Sequence, residues 1–346
     1  MAAAEGSYLG LARQTDGITE NVTHADFKYL LFREGGASPQ NVVIPLDDEI
    51  GGGAMVRNLV KVGVTGGGAL DFVPRPDTIG LFFAGALGKD TPAQDGTTQA
   101  YNHVFTLASD QFAAPYYTLR TVINGLGGEI YPHSRIASFG VAFRGARFVE
   151  AQAAFLGGTP KPSATTGWAT ANAGLDFAVD GGPQFLAPIS KVQLPISSVL
   201  TDANVLAGSF MCGMDIPLDE QWVVGKYSPA AMDIARRTFA LQMTLKAESE
   251  KLYKRLMYGS EAATQWLVGL MREANFTLEF LSDGEADAGK PYKFTIAGNG
   301  ESDANANVIC TASPIGLRAR RQVLINRSPV FVASPDITKQ PVTVTL

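Results

Sequence analysis

With 346 residues the chain is longer than one hydrophobic core usually grows, so two domains are the starting expectation. Apolar residues make up 46% and charged residues 18%, with a net charge of −5, which excludes a disordered chain and argues against a DNA-wrapping or RNA-binding role. Two cysteines without a CxxC and three scattered histidines suggest neither a disulfide framework nor a zinc centre.

In chain order, the opening MAAAEGSYLG has no basic region followed by an apolar one, so no secretory signal is expected and the chain should stay inside the cell that makes it. The 37 Gly and 19 Pro lie between short apolar runs, a texture of strands joined by turns, so the fold class expected is mainly β. Residues 34–56 are Gly-rich and polar and read as a large loop with Ile44, Pro45, Leu46 and Asp47 at its centre. Val60, Val62 and Val64 then alternate with other residues, Gly66 to Gly68 make a turn, and Leu70 and Phe72 resume the alternation, which predicts a β-hairpin. Pro76 and Asp77 are a helix start, and 78–87 is apolar nearly all round, as a short buried helix is. The longest apolar run, IGLFFAGALG over 79–88, is about half the ~20 residues needed to cross a bilayer, so no membrane insertion is expected. A polar loop follows, and 136–149 reads as a strand in which Phe139, Val141 and Phe143 alternate with Gly140, Ala142 and Arg144. Residues 157–174, rich in Gly, Pro, Thr and Ala without periodicity, read as a linker.

The second half restates the first. IPLDDE begins at Ile44 and IPLDEQ at Ile216, an offset of 172; FTL begins at Phe105 and Phe276, an offset of 171. Between these anchors 69–88 lies over 240–259 without a gap. Ala69, Leu70, Leu81 and Gly88 match Ala240, Leu241, Leu252 and Gly259. Asp77 falls on Glu248, Thr78 on Ser249 and Phe82 on Tyr253. The chain is therefore read as a tandem duplication, with one domain over 1–157, a linker over 158–180 and a diverged copy over 181–346. The second copy repeats the helix at 249–258 and inserts an amphipathic stretch at 260–275.

No motif carries catalysis. GVTGGGAL is followed by the extended DFVPRP rather than by a helix whose amides would meet a pyrophosphate, and GKDT lacks the spacing of a phosphate loop. His24, His103 and His133 sit in separate segments without a hydrolase or metalloprotease signature. The acidic PLDDE and PLDEQ loops are read as solvated, or as pairing with cations of a neighbouring subunit. In LRARRQ a strand would place Arg318 and Arg320 on one face, suited to pairing acidic residues across an interface. No cofactor is expected.

The order long Gly-rich loop, hairpin, LDFVPRPDTIGLFFAGALG (70–88) and further strands resembles the major tail tube proteins of long-tailed, non-contractile bacteriophages. The second copy departs from that pattern, with Lys246-Ala247-Glu248 where the first has Arg75-Pro76-Asp77. The resemblance implies two tandem β-sandwich domains, each with a flanking helix, whose inner sheets join those of neighbours around a channel. Family rings usually hold six single domains, so a duplicated chain is expected to close a pseudo-sixfold ring with three copies. The implied partners are further copies of the chain, the tape measure protein, and tail terminator and tip proteins. Double-stranded DNA passes through the lumen without specific binding. Assembly in the host cytoplasm and a place in the virion follow. The repeated Ile44-Pro45-Leu46-Asp47 and Ile216-Pro217-Leu218-Asp219 are expected to be stacking contacts between rings, their apolar tips docked in a neighbour's groove and Asp47 and Asp219 paired with cations. Three chains at −5 each would repel phosphates if enough of that charge faced the lumen. The alternatives are another phage tail-tip or decoration β-protein and a β-rich hydrolase with a site assembled from distant residues.

Overall fold

A computed structural model describes residues 8–346 except 18, 22, 24–25, 46–58, 97–99, 109, 111–113, 124–126, 163–181, 195–200, 247–250, 259, 266–275, 299–307, 313–314, 321, 328–329 and 334–341. From 308 to 344 the description is of the backbone. The chain is mainly β, as its composition predicts.

The first half supplies β1 (Tyr8–Arg13), β2 (Lys28–Leu30), β3 (Phe32–Pro45) and β4 (Leu59–Phe72). Next come helix α1 (Pro76–Leu87), β5 (Gly88–Gln94), β6 (Tyr101–Leu107) and β7 (Tyr117–Ile123). The long β8 (Gly127–Arg144), β9 (Glu150–Gly157) and the short β10 (Lys161–Pro162) follow. The second half begins with β11 (Phe185–Leu194), β12 (Thr201–Asp202), β13 (Val205–Asp215) and β14 (Arg236–Lys246). Helix α2 (Lys251–Tyr258) leads to β15 (Phe276–Asp287) and β16 (Lys290–Gly298). The chain then runs through β17 (Val308–Ala312), β18 (Ile315–Arg320), β19 (Gln322–Arg327), β20 (Val330–Ala333) and β21 (Val342–Thr345).

Two sheets result, and both halves contribute to each. The larger contains the order β3-β4-β9-β8 from the first half, then β13 and β14 from the second, with β19 and β20 on β14 and β18 and β17 beyond them. The smaller runs β12-β11-β15-β16-β21-β6-β5.

Helix α1 lies between the sheets. Pro76 stands at its first turn with Asp77 beside it, and Gly88 ends it in the left-handed region at φ 93°, its N–H donating to the carbonyl of Ala84. Its aromatic pair joins the layers: Phe82 stacks on Phe72 and Phe139 of the larger sheet, and Phe83 meets Phe139 on one side and Phe105 and Phe294 of the smaller sheet on the other. One apolar cluster therefore runs from Leu9 to Ile296 and takes residues from both halves.

Two predicted elements differ. The large loop predicted over 34–56 is strand as far as Pro45: β3 pairs β4 from Phe32↔Phe72 to Pro45↔Leu59. Its Gly, Ser, Pro and Gln hide the strand because it is exposed along most of its length and shows no inside-outside alternation. The Gly66–Gly68 turn is also absent; these glycines lie inside β4, opposite Gly157, Leu156 and Phe155 of β9. Crowding explains them. A Cβ on Gly66 would stand 2.5 Å from the Tyr131 ring, and one on Gly68 1.8 Å from the backbone oxygen of Gly36. Gly68→Ala should accordingly cost about 2 kcal/mol in chemical denaturation. Gly36→Ala, at a position with nothing within 4 Å, should stay within about 0.5 kcal/mol.

A bulge interrupts the pairing of β7 with β8 between Tyr117↔Ser134 and Leu119↔Tyr131, and His133 occupies it at φ 53°. Burial pushes the imidazole pKa down, against opposing effects of Glu20 and Asp16, and Lys161 pushes in the same direction as burial. The folded pKa thus lies below the unfolded one. Above about pH 6.5 both states are neutral; below it the unfolded chain takes up a proton that the folded one resists. Stability should fall as pH drops from about 7 to 5.5, and His133→Gln should flatten that part of the curve measured by urea unfolding.

Candidate assembly edges

The larger sheet ends in strands with one free side. Among the described residues β3 pairs only β4, at the far end β17 pairs only β20 and β18 only β19, and on the branch that leaves β8 through β7 and β1 the short β2 pairs only β1. A fourteen-residue edge strand presents a row of unpaired N–H and C=O groups and is a template for another strand. Near its end it is also apolar on the surface: Val43 is 48% and Ile44 53% exposed, and Leu59 and Val60 of β4 lie opposite at 68% and 44%.

Inside the chain a similar edge is already covered. Strand β8 pairs antiparallel with β13 from Arg144↔Ala207 to Ser138↔Gly213, joining the two halves. The side chains interlock there. The Met211 sulfur lies 2.0 Å from where a Cβ on Gly140 would stand, and the Phe143 ring 2.4 Å from that of Gly208, so each large side chain fills the space its neighbour lacks.

The segment from Ile216 to Ala235 folds back over the first half. Trp222 lies on β4, 2.3 Å from where a Cβ on Gly63 would stand, and the Val64 N–H donates to the Tyr227 carbonyl at 2.7 Å. The segment braces itself through Gln221, whose Nε2 donates to the Asp233 carbonyl and whose Oε1 accepts from the Asp233 N–H.

These contacts place the repeated motif in two settings. Ile44 and Pro45 end β3 on the surface, and Leu46 and Asp47 lie outside the described residues. At the motif's second occurrence Ile216 belongs to the core, Leu218 packs against it, Pro217 is half-buried and only Asp219 is exposed, in a 3-10 turn (Leu218–Gln221). The apolar tip predicted there faces inward because the segment folds onto its own chain. Arg318 and Arg320 lie on the edge strand β18, two residues apart and so on one face; their side chains are outside the description. Sequence reading missed β3 as an edge and Trp222 as a brace. The only signal for the first was Val42-Val43-Ile44, a β-branched triplet inside a polar stretch.

The sheet face turned away from α1 is small and mostly uncharged at its centre. Gly140, Ala142, Gln152, Ser209, Thr238 and Gln242 lie there, with a depression of about 480 Å³ between Arg33, Asp71, Glu150 and Met211. Arg33 and Glu150 pair at 2.5 Å.

Elsewhere, His103 Nδ1 sits 3.0 Å from Asp90 in a groove of about 970 Å³ beside α1. Cys212 is buried in β13, where burial raises its thiol pKa far above the usual value and keeps it protonated. Among the described residues no three His, Cys, Asp or Glu side chains are placed to hold a metal ion, and no helix is long and apolar enough to cross a membrane.

The family model described as phage tail tube protein matches residues 6–312. No curated protein matches the chain.

Proposed function

We propose, from the premise that this chain belongs to the phage tail tube protein family, that it is a structural virion protein that builds a hollow tube by closing its larger sheet with that of the next copy. The observation that carries the reading is that, among the described residues, the run from β3 through β8 and β13 has an open edge at each end, the long β3 at one and β17 with β18 at the other, in a molecule that already joins β8 to β13 internally. The next copy's β3 would lie antiparallel on β17 and β18, repeating between chains the seam found within one.

The tandem reading is supported by a recurrence of pairing. In the first half the hairpin β3–β4 is followed outward by β9 and then β8; in the second, β13–β14 is followed by β19 and β20 and then β18 and β17. Two equivalent units over 1–157 and 181–346, sharing one core, make three chains the natural ring.

Ring stacking falls to Ile44 and Pro45 at the end of β3, with Leu46 and Asp47 that follow them in sequence, and to Asp219 as the polar contact of the second copy. Arg318 and Arg320, on an edge strand, serve the seam between chains. The face with Gly140, Ser209 and Gln152 lines the channel, and its small uncharged side chains and paired Arg33–Glu150 let DNA pass without holding it. Tape measure and terminator proteins are its expected neighbours.

Negative-stain microscopy of the purified protein at high concentration tests this. Stacked hollow rings or filaments are expected, and a discrete oligomer that never stacks would overturn the reading.

A further inference from the structure

Two arginines beneath the larger sheet are buried without the partners such charges need. Arg135 in β8 is 1% exposed and Arg237 in β14 is 8% exposed. All three guanidinium nitrogens of Arg135 lack a hydrogen-bond partner, as do Nε and Nη2 of Arg237. Among the described residues the one carboxylate paired with either is that of Asp233, 3.9 Å from Arg135 Nη2, too far for a hydrogen bond, and its Oδ1 already accepts from the Tyr116 hydroxyl at 3.3 Å. The Arg135 guanidinium lies over the Tyr116 ring at 3.8 Å. Arg237 Nη2 stands 3.4 Å from where a Cβ on Gly88 would be, where helix α1 ends and its carbonyl dipoles favour a cation. Near the same Gly88 position, at 3.6 Å, is the backbone nitrogen of Ala114, two residues before Tyr116, so both guanidiniums border the 114–116 segment. They repel each other, and that repulsion adds to burial in depressing the Arg237 pKa.

Two buried positive charges face one distant, half-exposed carboxylate. Aromatic stacking and a helix terminus offset part of the desolvation, and five donor nitrogens remain without a partner. We infer that Arg135 and Arg237 form an internal site for a small inorganic anion of halide size. Such an ion accepts several N–H donors at once and neutralises the excess charge without the space that a phosphate or a neighbour's side chain requires.

The test compares thermal unfolding of the full chain, before assembly, in sodium chloride and in sodium gluconate at equal ionic strength. The melting temperature is expected to rise by about 2 °C for each tenfold increase in chloride, and to stay level in gluconate. Arg237→Met and Arg135→Met should each abolish the chloride increment. Should either fail to fold, Arg237→Lys, which keeps the charge but not the fork of donors, should reduce it. Crystals soaked in sodium bromide should show an anomalous peak within hydrogen-bond distance of both side chains. Equal melting in the two salts, an increment that survives in the variants, or bromide found only elsewhere would overturn the inference. Because the protein is tested unassembled, these outcomes are independent of whether it forms tubes.

Discussion

Single prolines at Gln40 and Asn41 in β3 are expected to separate assembly from folding. Along a strand, successive backbone N–H groups point to opposite sides, so of two neighbours one donates to β4 and the other to the open edge. Both positions lie in an uninterrupted stretch of the β3–β4 ladder, with Gln40 opposite Thr65 and Asn41 opposite Val64. Proline removes the donor in either case, and its ring obstructs a strand approaching from outside. The variant whose lost N–H faces β4 should lose stability by about 1 to 3 kcal/mol. The other should melt within about a degree of the parent and yet fail to polymerise, since one blocked edge per chain leaves every ring open. Sedimentation and negative-stain microscopy read assembly, and circular dichroism reads the fold. If both variants melt like the parent and both form tubes, β3 is not the joining edge.

Phe83→Ala is expected to be the most damaging single truncation in the core, at about 3 to 5 kcal/mol in chemical denaturation. The side chain has no exposed surface, and its ring centroid lies 5.1 Å from Phe139, 6.0 Å from Phe105 and 5.8 Å from Phe294. Its removal opens a void between the two sheets where neither can move in without breaking its own ladder. Phe294 belongs to the second half and Phe139 to the first, so the loss should reach both. One cooperative transition, shifted as a whole, is the expected result. Two transitions of which only one moves would mean that the halves unfold separately despite their shared core.

Part of this architecture was legible in the residues. The β-rich class follows from short apolar runs between Gly and Pro. Helix α1 follows from Pro76, Asp77, the apolar run and Gly88, and the structure places it over Pro76–Leu87. Phe139, Val141 and Phe143 point to the core as their alternation predicts. Such signals are short-range: each depends on neighbours one to four positions away, and periodicity reports them.

The candidate site was less visible. A strand exposed on both faces has no alternation to display, so β3 resembles a loop until β4 is seen beside it. The Gly66–Gly68 run resembles a turn because glycine permits one, while its actual cause is the close approach of Tyr131 and of the Gly36 backbone, about 30 to 65 residues away in the chain. Ile44 and Ile216 sit in near-identical motifs, yet one ends on an open edge and the other is buried, because the segment after Ile216 finds β4 of its own chain to lie on.

The amino-acid sequence by itself determined the β class, the central helix, the aromatic core positions and the family resemblance, all of which rest on local pattern. Only the tertiary structure decided which edges stay open among the described residues, where the glycines are indispensable and that Arg135 and Arg237 are both buried. Those properties arise from backbone and side chains brought together across sheets, and no spacing along a chain records what will stand on its other side.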